Sequence, residues 1–251
     1  MLIRVVDLET TGFDPSTAGV CEIGWCDLVA RRRDLVGGPT DWTVEGGYWM
    51  FVNPGRPITP ETSAIHHIID EDVARASPFG EALADVLSPT EPSIAVLAAH
   101  SSKFERQWLT DEATGGLPWV CTYKCALRLW PDAPLHSNQG LRYWRRPVGL
   151  DRAVANMAHR AYPDAYVTAH HLRDLLDFAP LEDLIRWSGE PALQVRCQIG
   201  KNRGMPWREV DTGFLSWVAV RDFDEDVLFT VNHELDRRRT EEQAEAEEWR
   251  S

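Results

Sequence analysis

The chain has 251 residues, a formal net charge of −13 and 43% hydrophobic residues. This length suits one large domain with a smaller one beside it, and so acidic a balance excludes a protein that coats a phosphate backbone with positive charge over its whole surface. The five cysteines are an odd number for a chain of this size, which argues against a disulfide framework and indicates buried free thiols. The sequence has neither a signal-like amino terminus nor about 18 consecutive apolar residues. We therefore expect a soluble, cytoplasmic protein that does not contact membranes.

The first predicted strand ends in two acids. The apolar run from Leu2 to Leu8 is typical of a central strand. Asp7 and Glu9 project to the same side of it, because side chains alternate along a strand. Neighbouring carboxylates with no cation in sequence reach repel each other, and they either share a proton or bind a hard divalent ion. We favour the ion, although a solvated strand face would also explain the pair.

The segments after this strand predict an antiparallel meander and then a mixed arrangement of helices and strands. Strands are expected at 22–28 and 49–52. A helix is expected from about Pro60, since proline suits the first helical turn, and a second over about 78–87. The unbroken apolar run 94–99 is typical of a strand buried on both faces.

The next predicted helix begins at His100 and carries Glu105 near its amino terminus, where the helix dipole favours an acid. A pair of glycines then breaks the chain before residues 119–122, and short helices are expected over about 124–130 and from about 141.

A long helix is predicted from about Pro163 to near Pro180, because proline is tolerated in the first turn of a helix and not in its interior. Asp164 then lies in the first turn and His159 in the loop ahead of it. After this helix we predict a linker at 188–191, a compact module at 193–239 and a charged, frayed end over 240–251.

Two stretches run against the acidic balance. Residues 124–146 hold five basic residues against one acid, with three aromatic residues among them, and residues 196–208 hold four basic residues and no acid. Basic groups mixed with aromatics suit a surface for single nucleic-acid strands. Solvated helix faces produce similar runs.

The order of these acids resembles the DEDDh branch of the DnaQ-like 3′-to-5′ exonucleases over about residues 1–180. The first motif, residues 7–12 followed by 22–24, matches closely, and so does the third, residues 159–164. The second motif, residues 100–105, departs from the family pattern.

The departures are specific. Ser101 stands where the family has asparagine, and Glu105 stands where it has aspartate. In the connecting segment, His67 stands where glycine is commoner. The segment 199–217 is similar to a small module found after such nuclease domains.

The resemblance implies an α/β fold, namely an RNase H-like mixed five-stranded sheet with flanking helices, followed by a small C-terminal domain. The exonuclease domain would cover residues 1–180, the small module 193–239 and the charged tail 240–251.

The resemblance also implies a site for two Mg²⁺ (or Mn²⁺) ions, which phosphodiester hydrolysis uses to activate water and to neutralise charge. Asp7 would contact both ions, Glu9 and Asp164 would complete the first, and Glu105 would hold the second directly or through water. His159 would take the proton from the attacking water, because imidazole titrates near neutral pH. The same resemblance assigns substrate contacts to Thr10, Thr11, His100 and Phe104.

The expected partner is a nucleic acid with a free 3′ end, single-stranded DNA in the first place, and a polymerase or repair complex is a further candidate. The residues themselves leave DNA or RNA, and one strand or two, open. A rival interpretation is a nuclease-like domain that binds nucleic acid or a polymerase and cleaves weakly, and Glu105 and Ser101 favour it. Four retained carboxylates and a histidine favour the enzyme, because a site freed of catalysis has no physical reason to keep paired acids together.

Overall fold

A mixed five-stranded sheet forms the centre of the computed structural model, which describes residues 1–32, 40–88 and 90–249. The strands are β1 (Leu2–Thr10), β2 (Val20–Arg32), β3 (Thr40–Phe51), β4 (Ile94–Ala99) and β5 (Trp119–Cys121). They lie in the order β3-β2-β1-β4-β5, with β1–β2 and β2–β3 antiparallel and β1–β4 and β4–β5 parallel. This confirms the predicted mixed sheet and the meander of its first three strands.

Helices flank the sheet and form most of the C-terminal segment. They are α1 (Pro60–His66), α2 (Asp70–Val73), α3 (Phe79–Val86), α4 (Asp111–Thr114), α5 (Thr122–Leu129), α6 (Asn138–Arg145), α7 (Arg152–Ala155), α8 (Ala161–Leu176), α9 (Leu181–Gly189), α10 (Thr212–Ala219) and α11 (Glu225–Glu248).

The central strand β1 alternates its side chains between two apolar layers. Ile3 and Val5 pack on the side that α8 covers, whereas Val6 packs on the side that α3 covers. Because the alternation continues to the end of the strand, Asp7 and Glu9 extend the α8 side beyond its apolar part. The sequence pattern and the packing agree on this point.

The first turn of α8 lies close to the sheet because Gly24 of β2 has no side chain. A Cβ at Gly24 would lie 2.3 Å from the backbone nitrogen of Tyr162 and 2.5 Å from the carbonyl carbon of Ala161. Gly24 pairs with Asp7 in the β1–β2 ladder. The close approach therefore brings Asp164, in the first turn of α8, next to the strand that carries Asp7.

The α-helix predicted to begin at His100 is absent, and that prediction was wrong. Residues 100–104 form turns, and only Glu105–Gln107 forms a short 3₁₀-helix. Ser101 has a φ of 67°, a left-handed conformation that a right-handed helix cannot contain.

Two predicted boundaries around α8 and α9 also differ from the structure. Helix α8 begins at Ala161, two residues before Pro163, which still lies in the first turn, where a missing N–H costs nothing. Ser188, assigned to a linker, is a buried residue of α9. Its hydroxyl donates to the carbonyl of Leu184 (2.6 Å) and accepts from the N–H of Cys121 (2.7 Å), so its polar group is satisfied inside the protein.

The C-terminal segment has its own small core, and its helix α11 binds the stretch of chain that follows α9. Asp226 of α11 accepts a hydrogen bond from the N–H of Ala192 (2.6 Å), and Thr230 accepts one from the N–H of Gln194 (2.9 Å). Helix α11 continues to Glu248, so the end of the chain that was expected to fray is helical that far. The core of the segment contains Cys197, Trp207, Val210, Leu215, Val218, Val227 and Val231.

All five cysteines are buried thiols outside any disulfide, as the sequence predicted. Among the described residues, no helix combines the length and the apolar character that a membrane span requires.

Replacing Gly24 by alanine should separate α8 from the sheet, because the added Cβ meets backbone atoms and not a flexible side chain. We expect the free energy of unfolding to fall by about 1–3 kcal/mol, the usual cost of overpacking a tight contact. Gly46→Ala in β3 is the matched control, since a Cβ there meets nothing within 4 Å. Urea unfolding measures both variants, and equal stability of the two would show that the close approach is not required.

Candidate active site

Asp7, Glu9 and Asp164 form one cluster of carboxylates. One oxygen from each side chain lies within 4.8 Å of the oxygens of the other two. Two of these acids come from the end of β1 and the third from the first turn of α8. Carboxylate oxygens at this spacing suit a hard divalent cation, so the structure brings together three of the four acids that the sequence assigned to metal.

The three acids are crowded and poorly solvated. Burial raises the pKa of Asp7 well above its ordinary value, and the charges of Asp164 and Glu9 raise it further. Burial and the charge of Asp164 raise the pKa of Glu9 to about 8, although Arg160 opposes this. The pKa of Asp164 is also raised by burial. The cluster therefore favours bound protons near neutral pH unless a cation supplies the positive charge.

Glu105, the fourth acid, lies beside the cluster and is not one of the three. The residue is 3% exposed, and burial together with the charge of Glu9 raises its pKa to about 8. Its own charge in turn raises the pKa of Asp7. Within the described chain its Oε2 atom is buried and has no hydrogen-bond donor. A buried carboxylate oxygen without a partner is costly, and a nearby cation would relieve that cost.

Glu22 fixes the start of α8 to β2. It is 1% exposed and lies opposite Glu9 in the β1–β2 ladder. Its two oxygens accept hydrogen bonds from Nε of Arg160 (3.1 Å each), and one of them also accepts from the N–H of Ala161 (2.8 Å). A guanidinium and a helix-terminal N–H together compensate the buried charge. Glu22 therefore sets the position of the helix that carries Asp164.

His159 lies in the loop before α8, where the sequence placed it. Its φ of 61° is left-handed, and its backbone N–H donates to Oδ2 of Asp164 (2.7 Å). The residue is exposed. The predicted general base is thus next to Asp164, the acid of α8 that the sequence assigned to metal, with its imidazole accessible from solvent.

Helix α6 supplies two further partners of Asp164. The side-chain amide of Gln139 donates to Oδ1 of Asp164 (3.0 Å), and that of Asn138 donates to the Asp164 carbonyl (3.1 Å). Arg142 in turn donates to Oε1 of Gln139 (2.9 Å).

Sequence reasoning gave no role to Asn138, Gln139 or the Glu22–Arg160 pair, and it counted Arg142 only among the basic residues of 124–146. Glu22 was part of the first motif, and that was the one available signal. Gln139 and Arg142 belong to no motif, and only the fold brings them to the site.

Thr10 and Thr11, predicted to contact substrate, close the turn after β1. The Thr10 hydroxyl donates to the carbonyl of Gly12 (2.7 Å), and the Thr11 hydroxyl accepts from the N–H of Gly19 (3.0 Å). Their hydroxyls therefore shape the loop beside the acids, and direct contact with substrate stays a prediction.

His100 uses both ring nitrogens inside the protein. Nε2 donates to the carbonyl of His136 (2.9 Å), so Nδ1 is the acceptor for the Thr122 hydroxyl (2.9 Å). Burial lowers the pKa of His100 to about 3, which keeps the ring neutral. The ring holds the loop at His136, and a substrate contact would require one of these bonds to break.

Phe104 lies half-buried against Phe13. Their rings meet edge to face with centroids 6.3 Å apart, and Phe13 is 85% exposed in the turn after β1. Two adjacent rings of this kind offer a stacking surface for a base, which agrees with the role predicted for Phe104.

The basic stretch 124–146 is partly used inside the protein. Lys124 donates to the carbonyls of Ser188 (3.1 Å) and Glu190, and Arg128 pairs with the Glu190 carboxylate (2.5 Å). The interpretation of this stretch as a nucleic-acid surface therefore does not hold for Lys124, Arg128 or the buried Arg142.

Other basic residues remain exposed. Arg146 and Arg152 line a pocket of about 430 Å³ with Tyr143, which is 63% exposed. All four basic residues of 196–208 are also exposed. Both surfaces stay candidates for contact with phosphate.

The sequence of this chain is similar to those of known proteins. Residues 5–172 match the family model described as Exonuclease. Exodeoxyribonuclease 10 of Escherichia coli (strain K12) is 30% identical over 242 residues, which cover 94% of this chain and 99% of that protein. A PolC-type DNA polymerase III of Thermotoga petrophila is 29% identical over 175 residues, which cover 66% of this chain and 11% of the polymerase.

Two solved structures have the same fold. Exonuclease X in complex with 5′ overhanging duplex DNA is 26% identical, with a TM-score of 0.53, and the match covers 74% of this chain and 99% of that one. E. coli Exonuclease I in complex with a dA16 oligonucleotide is 14% identical, with a TM-score of 0.51, and the match covers 74% and 42%. Because the family model spans most of the chain and one relative matches nearly all of it, the chain belongs to the exonuclease family and is a DnaQ-like 3′-to-5′ exonuclease with an RNase H-like fold.

Proposed function

We propose that this exonuclease removes nucleotides from the 3′ end of DNA by a two-metal-ion mechanism. The observation that carries the proposal is the cluster of Asp7, Glu9 and Asp164, with Glu105 buried beside it. DNA is favoured because the relative that matches nearly the whole chain is named an exodeoxyribonuclease, and the Exonuclease X structure holds duplex DNA. Single-stranded DNA is the expected substrate, and a polymerase or repair complex remains a proposed partner. We retain residues 1–180 as the proposed nuclease domain and 193–239 as the small module.

The donor set fits Mg²⁺ first and Mn²⁺ as an alternative, because both prefer carboxylate oxygens. When bound, two such ions would neutralise charge on the phosphate and acidify the attacking water. Asp7 would contact both ions, and Glu9 and Asp164 would complete the first. The raised pKa values of these acids support this assignment, since a cation offsets the burial that raises all three and the repulsion that adds to it at Asp7 and Glu9.

Glu105 suits the second ion. Glutamate is one methylene longer than the usual aspartate, which moves its carboxylate out by about 1.5 Å. Mg²⁺ demands near-ideal octahedral geometry at about 2.0–2.1 Å, so the longer side chain fits a contact through water better than a direct one. Its buried, unpartnered Oε2 has the acceptor capacity for that contact.

His159 would accept the proton of the attacking water on its imidazole. Its backbone is held by the bond to Asp164, while the exposed side chain is free to turn toward a phosphate at the acids. General-base catalysis of this kind typically contributes about 10² to 10⁴ in rate.

From the acids, the DNA strand would run across two surfaces of the protein. Phe104 and Phe13 would stack on a base near the 3′ end, and Arg146 and Arg152 would contact phosphates further along. A local basic surface of this size is consistent with the acidic balance of the whole chain.

Asp7→Asn should reduce cleavage of a single-stranded oligonucleotide in Mg²⁺ by at least about a thousandfold, or about 4 kcal/mol of barrier. An amide is a poorer ligand and carries no charge to offset the cation. The melting temperature in EDTA should stay the same or rise, because one of the repelling charges is gone. Asp132→Asn, at an exposed acid outside the cluster, is the control. Near-normal turnover in Asp7→Asn would rule out the two-ion mechanism.

Stability of the metal-free protein should fall as pH rises from about 6.5 to 8. The pKa values of Glu9 and Glu105 are raised from 4.5 to about 8, so in this window the folded chain holds protons that the unfolded chain has released. The buried residues His100, His170 and His171 have pKa values lowered to about 3 or 4. These histidines make stability rise with pH, but only up to about pH 6.5, which is the pKa of histidine in the unfolded chain. Between about pH 6.5 and 8, the change in stability therefore comes from the carboxylates.

Melting temperature in EDTA measures this effect, at about 2–4 °C per kcal/mol for a chain of this size. Saturating Mg²⁺ should remove the decline by binding the charged acids. The double variant Glu9→Gln/Glu105→Gln should show a shallower decline in EDTA, since Asp7 and Asp164 are then the acids of the site with raised pKa values. A decline of equal slope in that variant would assign the effect to other groups.

Arg146→Ala/Arg152→Ala should raise the KM for a single-stranded oligonucleotide about tenfold and leave kcat near the parent value. Loss of two phosphate contacts should also lower the slope of log affinity against log salt by about 1.4. Hydrolysis of the p-nitrophenyl ester of thymidine 5′-monophosphate should not change, since so small a substrate does not extend to Arg146 or Arg152. The double variant Arg196→Ala/Arg208→Ala is the comparison, and an effect confined to that pair would place the strand over the C-terminal module.

A further inference from the structure

We propose that Arg142 and Gln139 of α6 are positioning residues that hold Asp164 and the His159 loop in one fixed arrangement. The inference rests on the proposed function, because it assigns these two residues to the same site. Neither residue reaches the substrate in this proposal, and each acts through the acid or the loop that it binds.

Arg142 is buried, at 5% exposure, yet its charge has no carboxylate partner in the described part of the chain. Its guanidinium donates to three neutral oxygens, namely Oε1 of Gln139 (2.9 Å), the carbonyl of Ala155 (2.5 Å) and Oδ1 of Asn156 (2.6 Å). Burying a charge without an ion pair is expensive unless its donors are satisfied. A buried guanidinium spread over these acceptors therefore fixes the backbone at the end of α7.

Gln139 connects Arg142 to Asp164 by hydrogen bonds. Its oxygen accepts from Arg142, and its NH₂ group donates to Oδ1 of Asp164 (3.0 Å). The opposite amide orientation would set NH₂ against the guanidinium and oxygen against the carboxylate, and both contacts would be repulsive. One orientation is therefore strongly favoured, and Gln139 can neither rotate nor leave without loss of both bonds.

The loop closes the network. Residues Ala155 and Asn156, bound by Arg142, lie just before His159 in the chain, and the N–H of His159 donates to Oδ2 of Asp164 (2.7 Å). Both oxygens of Asp164 are thus oriented, one from α6 and one from the loop. Oδ1 also accepts a longer bond from the Asn138 amide (3.4 Å), whereas Oδ2 keeps a further lone pair for a cation. The buried guanidinium of Arg142 accordingly fixes the orientation of the Asp164 carboxylate. It also fixes the backbone position from which the His159 side chain extends.

Gln139→Met keeps the length of the side chain and removes both hydrogen bonds, whereas Gln139→Glu keeps the acceptor for Arg142 and replaces the donor to Asp164 by a charge of like sign. Partners that orient a metal ligand typically contribute about 10- to 100-fold in metal affinity or activity. We expect both variants to lose about that factor in kcat on the p-nitrophenyl ester, with the half-saturating Mg²⁺ concentration raised. Gln107→Met, at an exposed glutamine outside this network, should match the parent.

The second readout needs no metal and no turnover. Hydrogen exchange of the metal-free protein, followed by mass spectrometry, should show faster exchange in peptides that cover 155–162 for Gln139→Met, with the rest of the sheet unchanged. Arg142→Lys keeps the charge but replaces the planar guanidinium by a compact ammonium, which cannot bind the three acceptors in the same geometry. This variant should show the same local effect. Parent-like exchange in 155–162 and parent-like Mg²⁺ dependence in both Gln139 variants would overturn the inference. If the parent itself does not cleave DNA, the proposed function fails, and hydrogen exchange alone then decides whether the network holds the loop.

Discussion

Repulsion among the carboxylates of Asp7, Glu9 and Asp164 is the constraint that the rest of the structure has to accommodate. Folding holds these groups within 4.8 Å of one another. Burial raises the pKa of each acid, and the neighbouring charges raise those of Asp7 and Glu9 further. The contacts that enforce the arrangement lie outside the cluster. The apolar layer under β1 fixes the strand, Gly24 admits α8, and Glu22 binds the start of that helix. The acids are therefore pre-arranged by packing, and a cation stabilises a geometry that already exists.

Four described residues other than glycine have left-handed backbone, and two of them, His67 and Arg146, end helices α1 and α6. Ser101, His159 and Arg146 have φ values of 67°, 61° and 51°, and His67 has 62°. Such conformations cost about 1–2 kcal/mol for residues other than glycine, and strain of this kind gathers at functional sites. Two of the four positions are those where the family uses glycine or asparagine, the residues that adopt left-handed backbone most easily. The departures at His67 and Ser101 thus place side chains that adopt left-handed backbone less easily at these two positions.

Local chemistry explains how much the sequence could predict. Alternation along β1 placed Asp7 and Glu9 on one face, and the rule for proline placed Asp164 in the first turn of α8, because both depend on neighbours in the chain. The helix predicted to begin at His100 does not form, because the tertiary structure and not the local sequence sets the backbone at Ser101. Composition could not distinguish Arg128, which binds Glu190 and lies over the ring of Phe229 (5.7 Å), from an arginine that faces solvent. Gln139 was beyond prediction and Arg142 was counted only as a basic residue of 124–146, because their contacts arise only when α6 packs against α8.

Helix α6 therefore connects parts of the protein that the motifs treat as separate. One of its faces binds Asp164 and the end of α7, and the residue that caps it, Arg146, lies in the exposed basic pocket. About seven residues, or roughly 10 Å of helix, separate Gln139 from Arg146. A phosphate held at Arg146 and a cation held at Asp164 would thus be joined by one rigid element. Because a short helix is rigid, α6 and not the loops around it would set the distance between the phosphate contact and the acids.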